Sequence, residues 1–256
     1  MTNDDGAGAP GLHALAVALS DLGEVTVVAP DGQRSASGHA ITIAHPLRLN
    51  MIERAAPYCV YALTGTPADC VKVGVSVVLQ AAPDLVVSGI NYGANSGANV
   101  TYSGTVSGAR EGAMLGLPSI AVSLEASDHP DFAFSARVAR EIARWVGSGR
   151  PGAGLLYNVN VPALPPDRIR GIRLTRHGHS RMIDAFERRL DPHHQPYYWM
   201  AWERMFHDED PNSDGHAVYS GFVSVTPLLL EQTDRRAIEQ MKAAGFEEIE
   251  GRLLLR

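Results

Sequence analysis

Residues 10–30 read PGLHALAVALSDLGEVTVVAP. Pro10 suits the first turn of a helix, where a missing N–H costs nothing. Leu12, Leu15, Ala16, Leu19 and Leu22 then recur on one face until Gly23 stops the run. The spacing predicts a helix over 10–22. Val25-Thr26-Val27-Val28-Ala29 follow as a mainly apolar, β-branched run bounded by Pro30, Asp31 and Gly32, the pattern of a buried strand. A helix and a strand joined by so short a connection imply a parallel crossover unit.

The same grammar repeats on the C-terminal side. Tyr58 to Leu63 reads as a strand, and Thr66-Pro67-Ala68-Asp69 is a capping-box variant that opens a helix to about Gln80. Asp84 to Ser88 is the next strand, Thr105 to Leu115 a helix closed by Gly116, Ser119 to Leu124 a strand, Phe132 to Val146 a helix and Leu155 to Val161 a strand. Residues 147–152 are a surface connection within this core. The fold class is therefore α/β: a Rossmann-like, doubly wound, mostly parallel sheet. Pro162 to Pro166 marks a change of composition. Beyond about Thr175 the chain is rich in Arg, His and aromatics, with strand-like runs over Gln195 to Trp202 and Ala217 to Pro227 and a closing amphipathic helix over Thr233 to Ala244. We expect a core over 1–174 and an extension over 175–256. Tyr197, Tyr198 and Trp199 suit either a subunit interface or a hairpin covering the sheet edge.

Bulk properties narrow the function. The 256 residues, 45% hydrophobic and 20% charged, can bury one large core. No run approaches the ~18 apolar residues of a membrane span and no export signal is evident, so a cytoplasmic protein with no membrane partner is expected. A net charge of −6 argues against a nucleic-acid polymer as partner. Cys59 and Cys70 lack the spacing of a disulfide framework or a thiolate zinc site.

The chemistry begins at Asn3-Asp4-Asp5-Gly6. Two adjacent carboxylates repel each other unless a cation lies between them, and a hard divalent ion with oxygen ligands is the usual answer; a solvated, helix-capping loop is the alternative. Three more polar segments follow strands: 34–39, 88–95 and 102–105. In an open parallel sheet these gather beyond the carboxyl ends of the strands. Carboxylates, hydroxyls and amides make an all-oxygen set that suits Mg²⁺ or Mn²⁺. Ser103-Gly104-Thr105 opens a helix whose free N–H groups can receive an anion, and an anion beside a divalent cation points to phosphoryl chemistry. His39 lies near enough in sequence to reach the phosphate or the leaving group.

Several of these motifs, in this order, resemble the SurE family, the survival-protein nucleotidases. They are Thr2-Asn3-Asp4-Asp5-Gly6 with Ala9-Pro10-Gly11, then Val28-Ala29-Pro30-Asp31 with Arg34-Ser35, and Gly65-Thr66-Pro67-Ala68-Asp69-Cys70-Val71. Val87-Ser88-Gly89-Ile90-Asn91, Tyr102-Ser103-Gly104-Thr105-Val106, Asn158-Val159-Asn160-Val161-Pro162 and Gly221 to Leu228 complete the match. The resemblance implies a metal-dependent phosphatase of nucleoside 5′- and 3′-monophosphates, in some members also of short polyphosphate. It implies Asp4, Asp5, Ser35 and Asn91 as ligands of one divalent ion per subunit. Asn95, Ser103, Gly104 and Thr105 become the phosphate site, and Asp4 the catalytic group. It further implies a homodimer or homotetramer built through a hairpin matching Arg189 to Trp202 and an exchanged segment from Thr233 onward. Two features depart from the family pattern. Only Met1 precedes Thr2, so the central strand is stunted or the true start lies upstream, and Gly8 stands where a bulkier residue is common.

Two other readings remain open at this stage. Gly6, Gly8 and Gly11 literally satisfy G-x-G-x-x-G, and Asp31 stands where a ribose-binding acid belongs, which fits a dinucleotide-dependent oxidoreductase. A non-catalytic nucleotide sensor could use the same crevice.

Overall fold

The computed structural model describes residues 1–55, 57–149 and 156–249. The expected strand start at Leu155, the latter part of the 147–152 connection and the end of the C-terminal segment lie outside the described residues.

In chain order the elements are α1 (Pro10–Leu19), β1 (Val25–Pro30), β2 (Leu49–Ala55), β3 (Tyr58–Leu63), α2 (Pro67–Val73), β4 (Val86–Tyr92), α3 (Asn99–Tyr102), α4 (Gly104–Met114), β5 (Ser119–Leu124) and α5 (Phe132–Gly147). There follow β6 (Leu156–Val161), β7 (Ile172–Leu174), β8 (Arg181–Leu190), β9 (Pro196–Phe206), α6 (Asp214–Tyr219), β10 (Val223–Pro227) and α7 (Arg235–Ala243).

Two sheets, ordered β1-β3-β2 and β4-β5-β6-β10-β7, meet across the first residues of the chain. The Met1 carbonyl accepts from Val28 N–H at 2.9 Å, Thr2 N–H donates to Val87 O at 3.1 Å, and Gly89 N–H donates to Thr2 O at 2.9 Å. Thr2 thus bridges Ser88 in parallel register, and these first residues join both halves into one surface. β1–β3, β4–β5 and β5–β6 are parallel, while β10 returns antiparallel to β6 and parallel to β7. Helices α1 and α5 cover one face and α2 and α4 the other. On the first face Leu12, Leu15, Ile120, Val122 and Val159 belong to one buried cluster; on the second Val106, Ala109, Ala121 and Leu156 belong to another. This is the doubly wound architecture.

Several expectations shift in detail. The helix expected to Gln80 is α2 followed by a wider turn over Gly74–Val78. The run from Ala217 to Pro227 divides into α6 and β10, because the Ser213 hydroxyl accepts from His216 N–H and caps a helix, and Gly221 then turns the chain at φ +81°. The strand expected over 84–88 runs on to Tyr92, so Asn91 is held by sheet geometry. β2 and β7 were not among the expected strands. The hairpin β8–β9 is longer than the matching region suggested, and its register runs from Arg181 opposite Phe206 to Leu190 opposite Pro196.

Candidate active site

The turn that follows the Thr2 bridge is built by Asn3. Its buried side chain accepts from Gly6 N–H at 3.2 Å and donates to Gly6 O at 3.1 Å, which closes a tight loop around Asp4 and Asp5. Asp4 is only 4% exposed, and its carbonyl accepts from Arg34 N–H at 2.7 Å, drawing the 33–35 segment alongside. Its carboxylate accepts from the Thr105 hydroxyl. A Cβ on Gly104 would lie 2.8 Å from Asp4 Cβ and 2.9 Å from Asp4 Oδ2, so the mouth of α4 presses directly on this acid. Asp5 turns the other way and accepts from Tyr92 N–H at 3.2 Å, at the end of β4.

The two carboxyls are electrostatically uncomfortable. Burial raises the pKa of Asp4 above its ordinary value, against the pull of hydrogen bonds from the Thr105 hydroxyl and from the N–H groups of Gly104 and Thr105. Burial also raises Asp5, and the neighbouring charge of Asp4 raises it further. A divalent cation relieves both penalties at once.

Ser35 is exposed and accepts from the Gln33 amide at 2.9 Å. Asn91 donates its amide nitrogen to Gly93 O at 2.7 Å, so its oxygen is the end that can serve a cation. Ser37, in the polar 34–39 segment, has a buried hydroxyl with no hydrogen-bond partner, which lies 3.1 Å from where a Gly104 Cβ would stand. An unsatisfied hydroxyl beside two adjacent acids and a helix mouth fits an oxygen-ligated cation with its phosphate. Among the described residues no group of three or more His, Cys, Asp or Glu gathers around a metal position. Neutral oxygens must therefore complete any ligand set here.

At the phosphate end, Ser103 caps α4 by accepting from Val106 N–H at 3.0 Å. Asn95 is clamped from β5 and β6. Its N–H donates to Asn160 Oδ1 at 2.7 Å, its carbonyl accepts from Asn158 at 2.7 Å, and one amide N–H goes to Ser123 Oγ at 2.9 Å. The fully buried Asp214 carboxylate accepts from Gly97 N–H at 3.0 Å and from Gly178 N–H at 3.0 Å, which fixes the next residues of that loop. Asn158 and Asn160 were visible only as a family motif, and nothing local in the sequence marked Asp214.

One histidine expectation is corrected. His39 turns to Glu111 at 2.8 Å, two turns along α4 from its mouth, where Lys72 also pairs with Glu111 at 2.6 Å. The buried Glu111 carboxylate takes both side chains as partners, and the imidazole is drawn away from the phosphate seat. His177 bonds Gly97 O at 2.7 Å and so tethers that loop. The glycine fingerprint has a packing role as well: a Cβ on Gly11 would strike Ile90 O at 2.3 Å, so this residue lets α1 lie against β4.

The survival protein SurE family model matches residues 1–184. The chain belongs to the SurE family. The 5′-nucleotidase SurE of Syntrophobacter fumaroxidans is 44% identical over 241 residues, spanning 94% of this chain and 96% of the relative. The 5′-nucleotidase SurE of Syntrophus aciditrophicus is 46% identical over 249 residues, spanning 97% and 94%. The crystal structure of the SurE protein from Aquifex aeolicus superposes with a TM-score of 0.82 at 41% identity, covering 95% of this chain and 98% of that one. SurE membership draws the glycine turn away from dinucleotide binding. In this SurE chain the turn serves to place Asp4 and Asp5.

Proposed function

We propose that this chain is a 5′-nucleotidase that hydrolyses nucleoside 5′- and 3′-monophosphates to nucleoside and phosphate. One observation carries the reading: the Asp4 carboxylate lies against the first turn of α4 with Asp5 beside it, so a cation and an anionic ester have adjoining seats. Dependence on a divalent cation comes with the family. Asp4, Asp5, Ser35 and Asn91 would hold one such ion per subunit, Mg²⁺ or Mn²⁺. When bound, the ion neutralises charge on the phosphoryl oxygens and makes water more acidic.

The chain's own groups do the rest. The Ser103 hydroxyl and the second N–H of the Asn95 amide would receive phosphoryl oxygens, aided by the positive end of α4; the Gly104 and Thr105 N–H groups and the Thr105 hydroxyl, which hold Asp4 here, would join them once a cation takes the Asp4 carboxylate. Asp4, made more basic by burial, accepts the proton of the attacking water through the oxygen that Thr105 does not hold. The division into a catalytic core over 1–174 and an extension over 175–256 belongs to the same reading. So do assembly as a homodimer or homotetramer through β8–β9, and a place in the cytoplasm. Among the described residues no helix is long and apolar enough to cross a membrane.

The test is phosphate release from a panel of nucleoside monophosphates in Mg²⁺, Mn²⁺ or chelator. Release that requires the metal is expected. Tight nucleotide binding with no release would leave a sensor, and turnover unaffected by chelator would remove the cation from the account.

A further inference from the structure

The segment that runs from Asn95 to Ser103 is gripped from the C-terminal part of the chain. Gly97 N–H donates to Asp214 Oδ2 at 3.0 Å, the Gly97 carbonyl accepts from His177 Nε2 at 2.7 Å, and Ala98 N–H donates to Ser180 O at 2.8 Å. The approach is close enough to demand glycine. A Cβ at residue 97 would lie 2.1 Å from Ser180 O, and the backbone there is left-handed at φ +53°.

Asp214 is the centre of this grip. It is fully buried, and while its Oδ2 takes Gly97, its Oδ1 accepts from Gly178 N–H at 3.0 Å and from Gly215 N–H at 2.7 Å. A buried carboxylate shared among three backbone donors holds them in one arrangement. What Gly97 passes on is the position of α3. That helix has only four residues and no stability of its own; its Val100 N–H donates back to Gly97 O at 3.1 Å, and its Asn99 O accepts from Ser103 N–H at 3.0 Å. Ser103 thus hangs from Gly97 through a single turn of helix.

The acidic turn has no share in the grip. Asp4 is held by Thr105, Asp5 by Tyr92, and the Asn91 amide by Gly93, while the body of α4 is fixed by the buried cluster around Val106 and Ala109. We propose that Asp214 and His177 are positioning residues for the phosphate: they set the place of Asn95 and Ser103, and with it phosphate affinity, independently of the cation end. The proposal rests on the nucleotidase reading for the phosphate seat. It makes residues far along the chain part of the working site, although neither touches the substrate.

Asp214→Asn keeps the shape and exchanges one oxygen for an NH2 group. With two donors facing Oδ1 and one facing Oδ2, the amide turns its nitrogen towards Gly97, so the variant lets the phosphate segment go and keeps the bonds to Gly178 and Gly215. His177 is exposed, and His177→Ala removes a second tether with no buried group left behind.

Calorimetric titration of the full chain with inorganic phosphate at saturating Mg²⁺, beside titration with Mg²⁺ alone, tests this directly. Phosphate affinity should fall at least about tenfold in Asp214→Asn and about threefold in His177→Ala, with Mg²⁺ affinity within about twofold of wild type in both. A general loosening of the fold would weaken both ligands together. If Asp214→Asn does not fold, His177→Ala decides by the same comparison. Wild-type phosphate affinity in the folded variants, or parallel loss of phosphate and Mg²⁺, would overturn the proposal. Failure of the nucleotidase reading looks different: phosphate would bind to wild type and weaken in the variants as expected, yet wild type would release none from AMP.

Discussion

A side chain at residue 104 would place its Cβ 2.8 Å from Asp4 Cβ and 3.1 Å from Ser37 Oγ, closer to the acid than real side chains approach. Gly104→Ala should therefore push α4 off the acidic turn. We expect a cost of about 1–3 kcal/mol in thermal or denaturant unfolding, together with loss of nearly all phosphate release. A variant as stable and active as wild type would mean that the mouth of α4 has slack. The acids themselves set a pH dependence. Asp4 and Asp5 have pKa values raised by burial, so without a cation their contribution to stability is greatest when they are protonated and declines as pH rises through the folded values. Mn²⁺ competes with those protons. The melting temperature gained on adding Mn²⁺ should accordingly grow from pH 5 to pH 8, and a gain independent of pH would speak against carboxylate ligands.

At the level of elements, the capping box of α2 also carries the polar loop that bears Ser35 and Ser37. Asp69 accepts from Thr66 N–H at 2.9 Å and from Thr42 N–H at 3.0 Å. Burial acts to raise the Asp69 pKa, but hydrogen bonds from Thr66 and Thr42 outweigh it and the net shift is downward. A depressed folded pKa contributes stability that is complete above the ordinary value of 3.8 and is lost as pH falls through the folded value. Asp69→Asn should cost about 1 kcal/mol near neutral pH, and its unfolding curve should converge with wild type in strong acid. These elements also show what the sequence could convey. Strands of small and apolar residues without charge, such as Ser119–Leu124, were legible to the residue because both of their faces are buried. β2 was missed because its register slips between Met51 and Glu53, which spoils the two-residue alternation. α6 was missed because a serine cap outweighed the strand propensity of Val218 and Tyr219. Asp4 and Asp5 were conspicuous as adjacent like charges. Ser37 and Asp214 were not, since their neighbours come from residues distant in sequence.

For the molecule as a whole, β8–β9 forms a sheet of two strands only, and two strands alone are marginal in water. Phe186, Tyr198, Trp199 and Met200 on it are all exposed, as is Leu174 on the edge strand β7. A second copy of the chain is the expected cover, and light scattering should give the mass of a dimer or tetramer. Trp199→Asp should shift the population towards monomer, while a wild-type chain that is monomeric at tens of micromolar would remove the hairpin from assembly. The central claim concerns the acidic turn, and calorimetric titration with Mn²⁺ addresses it most directly. The account predicts one ion per wild-type chain, and affinity at least about tenfold weaker in Asp4→Asn and in Asp5→Asn, since each variant removes a charged ligand. Absence of binding to wild type, or equal affinity in all three proteins, would contradict it.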